Sequence, residues 1–214
     1  MFKKLAETIK KLTGQIPAPA FDPAAFADPV ATKTQWTPLV SGGASFRTHK
    51  LHRASETRWE FRAGAGTLLF CGVFAVVGFA VLSYGTSVVD EGKWFLIPFG
   101  AVFATGGILM WHFMAAPVVF DKDRGYFCKG RKKPERQIDP SVLKHHVPLK
   151  EIHALQILSE YVRSDKSSYY SYELNLILKD GTRKNVIDHG NLKAIREDAM
   201  MLADFLGLPL WDIT

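Results

Sequence analysis

The fold is decided by two apolar stretches, residues 63–89, AGAGTLLFCGVFAVVGFAVLSYGTSVV, and residues 94–120, WFLIPFGAVFATGGILMWHFMAAPVVF. Neither contains Asp, Glu, Lys or Arg. Each is longer than the roughly 20 apolar residues that a helix needs to cross the hydrocarbon core of a bilayer. Only residues 90–93 separate them. The sequence therefore predicts two membrane-spanning helices joined by a tight turn.

Charge predicts how this transmembrane hairpin, residues 63–119 with helices at about 64–85 and 94–116, is oriented. Lysine and arginine gather on both outer flanks, whereas the connection carries only Lys93 beside two acids. Because short basic flanks stay in the cytoplasm, we expect both termini there. Contacts with anionic lipid headgroups are expected from Lys3, Lys4, Lys10, Lys11, Arg62, Lys122, Arg131, Lys132 and Lys133.

The basic flanks account for the formal net charge of +6 without a nucleic-acid partner. They are not interleaved with base-stacking aromatic residues in a known binding module, so none is expected. Cys71 falls inside the first apolar stretch and Cys128 beyond the second. We therefore expect no disulfide, in agreement with a reducing compartment.

The residues before the hairpin divide into three parts. Residues 1–14 have apolar residues at helical spacing among lysines, which predicts a basic amphipathic helix in the headgroup plane or a frayed, solvated terminus. Residues 15–44 are rich in Pro, Ala and Gly and predict an extended linker. Its aromatic residues could dock on the folded part or on a partner, or lie loosely at the membrane. Residues 45–62 alternate in polarity and predict strands that lead to the hairpin.

Residues 120–214 predict a cytoplasmic β-rich domain that ends in a helix. The clearest strand is 169–178, and Asp180-Gly181 is a hairpin signal before the next strand. Residues 191–206 have an apolar face at helical spacing, followed by Gly207. The expected fold class is thus an α+β membrane protein: a transmembrane hairpin and an antiparallel β-domain capped by a C-terminal helix.

Small residues at four-residue spacing predict how the helices pack in lipid. The candidates are Gly72 and Ala80 in the first helix, with the slim Val76 midway between them, and Gly100 and Ala104 in the second. Small side chains let helices approach closely where apolar burial gives no advantage. These faces would join the two helices of one chain or, alternatively, two chains in a homo-oligomer.

Several short motifs resemble those of a known group. Residues 172–181, YELNLILKDG, and 206–211, LGLPLW, resemble the tail of uncharacterised bacterial two-span membrane proteins, and residues 46–49, FRTH, resemble their pre-membrane part. The soluble portion is similar in pattern to bacterial pleckstrin-homology-like (bPH-type) domains. This resemblance covers most of residues 36–214. It implies a bent antiparallel sheet with a capping helix and no catalytic residues, and the segment before the hairpin would add strands to that sheet.

The sequence carries no signature of an enzyme, a metal site or a cofactor. It has seven histidines but no conventional zinc-ligand spacing, no nucleophile elbow and no phosphate-binding loop. His112, inside the second apolar stretch, is either functional or snorkels to the interface. Asp188 and Asp198 are interpreted as parts of a turn and of the solvated face of the last helix. We expect no catalysis.

The best candidate recognition surface is a polar turn rimmed by tyrosines. Exposed tyrosines are typical of protein contacts, although they also pack across strands. The candidate partner-binding residues are Tyr161, Arg163, Lys166, Tyr169 and Tyr170.

These features predict an adaptor in the bacterial inner membrane whose cytoplasmic domain binds a protein partner or the membrane surface. Two alternatives stay open. One is an immunity or regulatory protein that neutralises a cognate toxin or modulates a membrane complex. The other is a subunit of an oligomeric channel or transporter.

Overall fold

The structure, a computed structural model, describes residues 21–39, 41–87, 91–130, 146–163 and 167–214. The predicted amphipathic helix at residues 1–14 lies outside the described residues. The α-helices are α1 (Pro29–Lys33), α2 (Ala65–Ser87), α3 (Lys93–Met114) and α4 (Leu192–Leu206), and two 3-10 helices cover Pro23–Phe26 and Leu149–Glu151. The strands are β1 (His49–Arg53), β2 (Arg58–Ala63), β3 (Val118–Asp121), β4 (Tyr126–Lys129), β5 (His146–Pro148), β6 (Ile152–Arg163), β7 (Ser168–Leu178), β8 (Arg183–His189) and β9 (Leu210–Asp212).

The strands form two sheets. Sheet A is an antiparallel meander in the order β1-β2-β3-β4-β5. Sheet B has the order β8-β7-β6-β9, with β9 parallel to β6 and the other pairs antiparallel. The main core lies between the sheets and α4, around Phe61, Phe120 and Leu202. The α+β class and the C-terminal helix on sheet B are confirmed, and the parallel strand β9 is an addition that the sequence did not predict.

The helical hairpin is inserted between two neighbouring strands of sheet A. β2 ends at Ala63 and α2 begins at Ala65, while α3 ends at Met114 and β3 begins at Val118. β2 and β3 then pair antiparallel. The expectation that the segment before the hairpin adds strands to the sheet behind it is confirmed. Both ends of the hairpin therefore emerge on one side of the folded domain.

The C-terminal helix α4 has well-defined ends. The Asn191 side chain accepts a hydrogen bond from Ala194 N at 2.9 Å, which caps the first turn. Gly207 ends the helix in the left-handed region, with φ 70°. The predicted apolar face, including Ile195, Ala199 and Leu202, is buried against sheet B.

The linker prediction for residues 15–44 is wrong for part of that range. Within it, two short helices begin where an aspartate precedes a proline. Asp22 accepts from Ala24 N at 2.9 Å, and Asp28 accepts from Val30 N at 2.8 Å. Aspartate at the N-cap and proline at the first helical position favour a helix start, so these prolines organise the chain instead of extending it.

Candidate membrane-anchoring and partner-binding surfaces

The surface of α2 and α3 is apolar on all sides and largely exposed. Both helices are long and apolar enough to cross a membrane, and only 17% of the most apolar part of each is buried. The large exposed side chains include Leu69, Val76, Phe79, Trp94, Phe95, Val102 and Phe113. A water-soluble chain would hide such side chains in a core, whereas a bilayer solvates them. The hairpin is therefore the candidate membrane anchor.

The two helices touch through glycines. A Cβ added to Gly78 would lie 2.1 Å from Ala104 N, and one added to Gly100 would lie 2.5 Å from Leu82 N. A Cβ added to Gly107 would lie 2.4 Å from Ala75 N. The structure thus places Gly100 and Ala104 in the contact between the helices of one chain.

Within one chain, the stripe predicted for the first helix does not form the closest contact with the second. Ala80 is exposed, and a Cβ at Gly72 would meet only the Trp111 ring, at 3.8 Å. The buried positions of α2 include Cys71, Gly78 and Gly85, which are seven residues apart. This seven-residue period is typical of two helices that cross at a small angle, and a four-residue stripe drifts away from the partner.

His112 lies in the last turn of α3, and its ring meets Phe113 edge-on with centroids 5.4 Å apart. It is exposed at the end of the hairpin that adjoins sheet A. This position is compatible with a side chain that reaches the interface.

Sheet register shows which basic residues lie near the hairpin. Val118 pairs with Lys129, and Arg62 pairs with Lys50, so these side chains lie at the hairpin end of sheet A. Lys122 does not: it follows β3 at the far end of the sheet, and its ammonium lies 4.5 Å from the centre of the Phe205 ring. The headgroup prediction is therefore wrong for Lys122. The other predicted headgroup contacts, apart from Arg62, lie outside the described residues: Lys3, Lys4, Lys10, Lys11, Arg131, Lys132 and Lys133.

The predicted tyrosine surface is the end of the β6–β7 hairpin. Tyr161 pairs with Tyr170, and their ring centroids are 5.1 Å apart. Tyr170 nevertheless remains 53% exposed. Arg163 ends β6 and is exposed, and the Tyr169 hydroxyl donates to Gly43 O at 2.9 Å. Cross-strand packing and an exposed aromatic surface thus coexist here; Lys166 lies outside the described residues.

A segment of the predicted linker, residues 15–44, lies across the outer face of sheet B. We call residues 35–39 and 41–46 the strap. Leu39 N donates to both carboxylate oxygens of Glu173, at 3.0 and 2.9 Å. The Glu160 carboxylate accepts from Gly42 N at 3.1 Å and from Gly43 N at 3.4 Å. In the other direction, Arg183 donates to Thr37 O at 2.7 Å.

The strap begins at an aromatic cluster. Aromatic residues of the predicted linker lie in this cluster. Phe26 and Trp36 stack on each other with centroids 5.3 Å apart, and both contact Trp211 of β9. Beside them, the His153 ring and the Asp28 carboxylate are 2.7 Å apart. The linker therefore docks on the folded domain. Periodicity did not reveal this, because the receiving Trp211 belongs to an unpredicted strand.

Where the hairpin meets the domain, buried polar groups join both sheets and α4. Arg47 forms an ion pair with Asp198 at 3.0 Å, and Asp198 is 3% exposed. The interpretation of Asp198 as a solvated residue is therefore wrong, because its carboxylate is buried and pairs with Arg47, the residue that follows the strap. Burial, with help from the nearby Lys129 charge, lowers the pKa of His49 to about 4. Burial also lowers the pKa of His189.

Asp188 is a poorly solvated acid in this region, and we expect its replacement by asparagine to stabilise the protein. Burial raises the pKa of Asp188, and the Glu173 charge raises it further. A raised folded-state pKa lowers stability as pH rises above the ordinary value near 3.8. The variant Asp188→Asn keeps an acceptor for Asn185, which donates at 3.1 Å. We expect its unfolding midpoint to rise by a few degrees at pH 7 and not at pH 3.5; equal shifts at both values would contradict the electrostatic cause.

Among the described residues, no group of three or more His, Cys, Asp or Glu side chains could hold a metal ion. Neither of the buried cysteines Cys71 and Cys128 forms a disulfide. No protein-family model, curated protein or solved structure matches the chain. The function must therefore be inferred from the surfaces described above.

Proposed function

We propose that this protein is a non-enzymatic adaptor of the bacterial inner membrane. The hairpin anchors it, both termini face the cytoplasm, and the domain formed by sheets A and B and α4 binds a protein partner or the membrane surface. The observation that carries the proposal is the insertion of the hairpin between paired strands β2 and β3. With such a junction, the domain is held at a fixed place on the membrane instead of on a flexible tether.

The proposed domain type is pleckstrin-homology-like. Support comes from the order of elements: an antiparallel meander, β1 to β5, is followed by a second one, β6 to β8, and then by the helix α4 packed on the sheets. This order corresponds to the bent sheet with a C-terminal cap that the sequence motifs imply. The parallel strand β9 follows α4 and lies outside that order.

The orientation can be tested with reporters. We expect a phosphatase fused after Thr214 to be inactive and a fluorescent protein at the same place to be bright, because the basic flanks keep the C-terminus in the cytoplasm. The same fusions placed in the connection at Glu91 should give the opposite result. An active phosphatase at Thr214 would reject the proposed orientation.

The adaptor role can be tested by photocrosslinking in cells. A crosslinking amino acid at Tyr170, 53% exposed on the β6–β7 hairpin, should trap a discrete protein or lipid. Met200, 51% exposed on α4, is a matched control at which we expect no specific product. Equal products at both positions, or none at Tyr170, would count against the tyrosine surface as the binding site.

A further inference from the structure

The outer face of sheet B beneath the strap is buried, yet most of its side chains are polar; Leu158, 1% exposed between Gln156 and Glu160, is the apolar exception. Gln156, Ser171, Glu173 and Asn175 are each at most 4% exposed, and Glu160 is 8% exposed. Burying polar groups costs free energy, whereas burying apolar groups stabilises a fold. A face covered permanently is therefore expected to be apolar. A polar face can be solvated when its cover leaves.

Beyond Trp36, whose ring packs on Trp211 at one end of the strap, the strap holds this face mainly with its backbone and not with its large side chains. Its amides donate to Glu160 and Glu173, and the Gln156 side chain donates to Gln35 O at 3.2 Å. In contrast, Leu39 and Phe46 remain 40% and 47% exposed. A hold built on main-chain hydrogen bonds can be reproduced by any extended segment of suitable shape.

Any segment that covers this face needs a small residue where it passes over Ser171. A Cβ at Gly43 would lie 2.3 Å from the Ser171 hydroxyl and 3.0 Å from the Ser171 Cβ, so a larger residue at this approach requires the strap or the Ser171 side chain to shift. The neighbouring Gly42 has φ +86°, which also favours glycine. The face thus accepts an extended segment with a glycine pair.

The strap does not satisfy the whole face. Within the described part of the chain, Ser171 Oγ and Asn175 Oδ1 are buried without a hydrogen-bond partner. Each unpaired buried polar group costs free energy because it has lost its hydrogen bonds to water. An extended segment that reached these two atoms would be held more tightly than the strap.

We propose that this face is a peptide-binding groove, lined by Gln156, Glu160, Ser171, Glu173, Asn175 and Arg183, which the strap occupies in cis. Its ligand in trans is an extended, glycine-containing segment of a partner protein. The argument is one of charge complementarity: carboxylates accept the amides of the segment, and Arg183 and Gln156 donate to its carbonyls. The strap is an autoinhibitory cover in this scheme, and the groove adjoins the tyrosine surface, because the Tyr169 hydroxyl donates to Gly43 O of the strap.

The experiment uses the full-length chain in detergent and a fluorescent peptide with the sequence of residues 35–46. The variant Gly43→Leu should expel the strap without changing the groove. We expect it to bind the peptide at least about tenfold more tightly than the wild-type protein, whose groove is occupied. A peptide that carries the same Gly43→Leu change is the matched control and should not bind.

A second variant guards against misfolding. Leu39→Pro removes the amide that donates to Glu173 without adding bulk over Ser171. It should bind the peptide as well, and adding Glu160→Gln and Glu173→Gln should abolish binding in either background. If both strap variants retain the circular dichroism of the wild type and neither binds the peptide, the groove proposal is wrong. Because no membrane partner is needed, this failure is distinguishable from failure of the adaptor role.

Discussion

Replacing Gly78 with leucine is expected to destabilise the helical hairpin by about 3 kcal/mol, because overpacking a tight contact forces the backbones apart. The Cβ would collide with the backbone of Ala104, which cannot rotate away. Since α2 and α3 are joined to β2 and β3, the separated helices would also strain the strand pairing of sheet A. The free energy of unfolding in detergent, followed by near-UV circular dichroism, measures the effect.

Gly106→Leu is the matched control for this experiment. Gly106 lies in the partner helix α3, and an added Cβ there meets no atom within 4 Å. We expect its free energy of unfolding to differ from the wild type by less than about 0.5 kcal/mol, as for substitutions away from tight contacts. Equal losses in the Gly78 and Gly106 variants would show that the glycine contact is not what joins the helices.

Lowering the pH from about 6.5 to 4 is expected to destabilise the domain through His49. Its pKa falls from 6.5 to about 4 on folding, because burial disfavours the charged ring and Lys129 and His189 lie nearby. The stabilisation is therefore complete above pH 6.5 and is lost as protons bind the unfolded chain between pH 6.5 and 4. One pKa unit corresponds to about 1.4 kcal/mol, and partial solvation of the ring lowers the total to about 2 kcal/mol.

The variant His49→Gln tests this pH dependence. It removes the titrating ring and should flatten the stability profile in that window, which thermal unfolding at successive pH values would measure. The neighbouring titratable groups Lys129 and His189 remain, so some slope will persist. His52→Gln, at an exposed position of the same strand, should leave the profile unchanged. An unaltered slope in the His49 variant would contradict the assignment.

The long elements were predictable because their signals are local. The apolar stretches set the hairpin, and Asn191 and Gly207 set the ends of α4. In contrast, Gly72 and Ala80 were chosen at a four-residue period, although the contact follows Gly78 and Gly85. Period alone does not tell which face of a uniformly apolar helix meets its partner, since every face looks alike in composition.

The strap and its groove were not predictable, because their partners are far apart in the chain. Glu160 and Glu173 are ordinary acids in strand sequences, and the amides that bind them come from residues more than 100 positions earlier. Every residue except proline has a backbone N–H, so residue type does not reveal which amides bind a distant carboxylate. The same holds for Asp198, whose charge is typical of a solvated helix face until Arg47 is brought beside it.

The position of the hairpin also bears on how the chain is made. β1 and β2 leave the ribosome before the two helices, and β3 to β5 follow after them, so the central pairing of sheet A waits for both helices. Both helices must therefore be synthesised before the folded domain can mature. A chain whose two helices have not come together keeps two half-sheets with open edges, which are prone to aggregate. Correct folding of the helical hairpin and of sheet A is thus a single requirement.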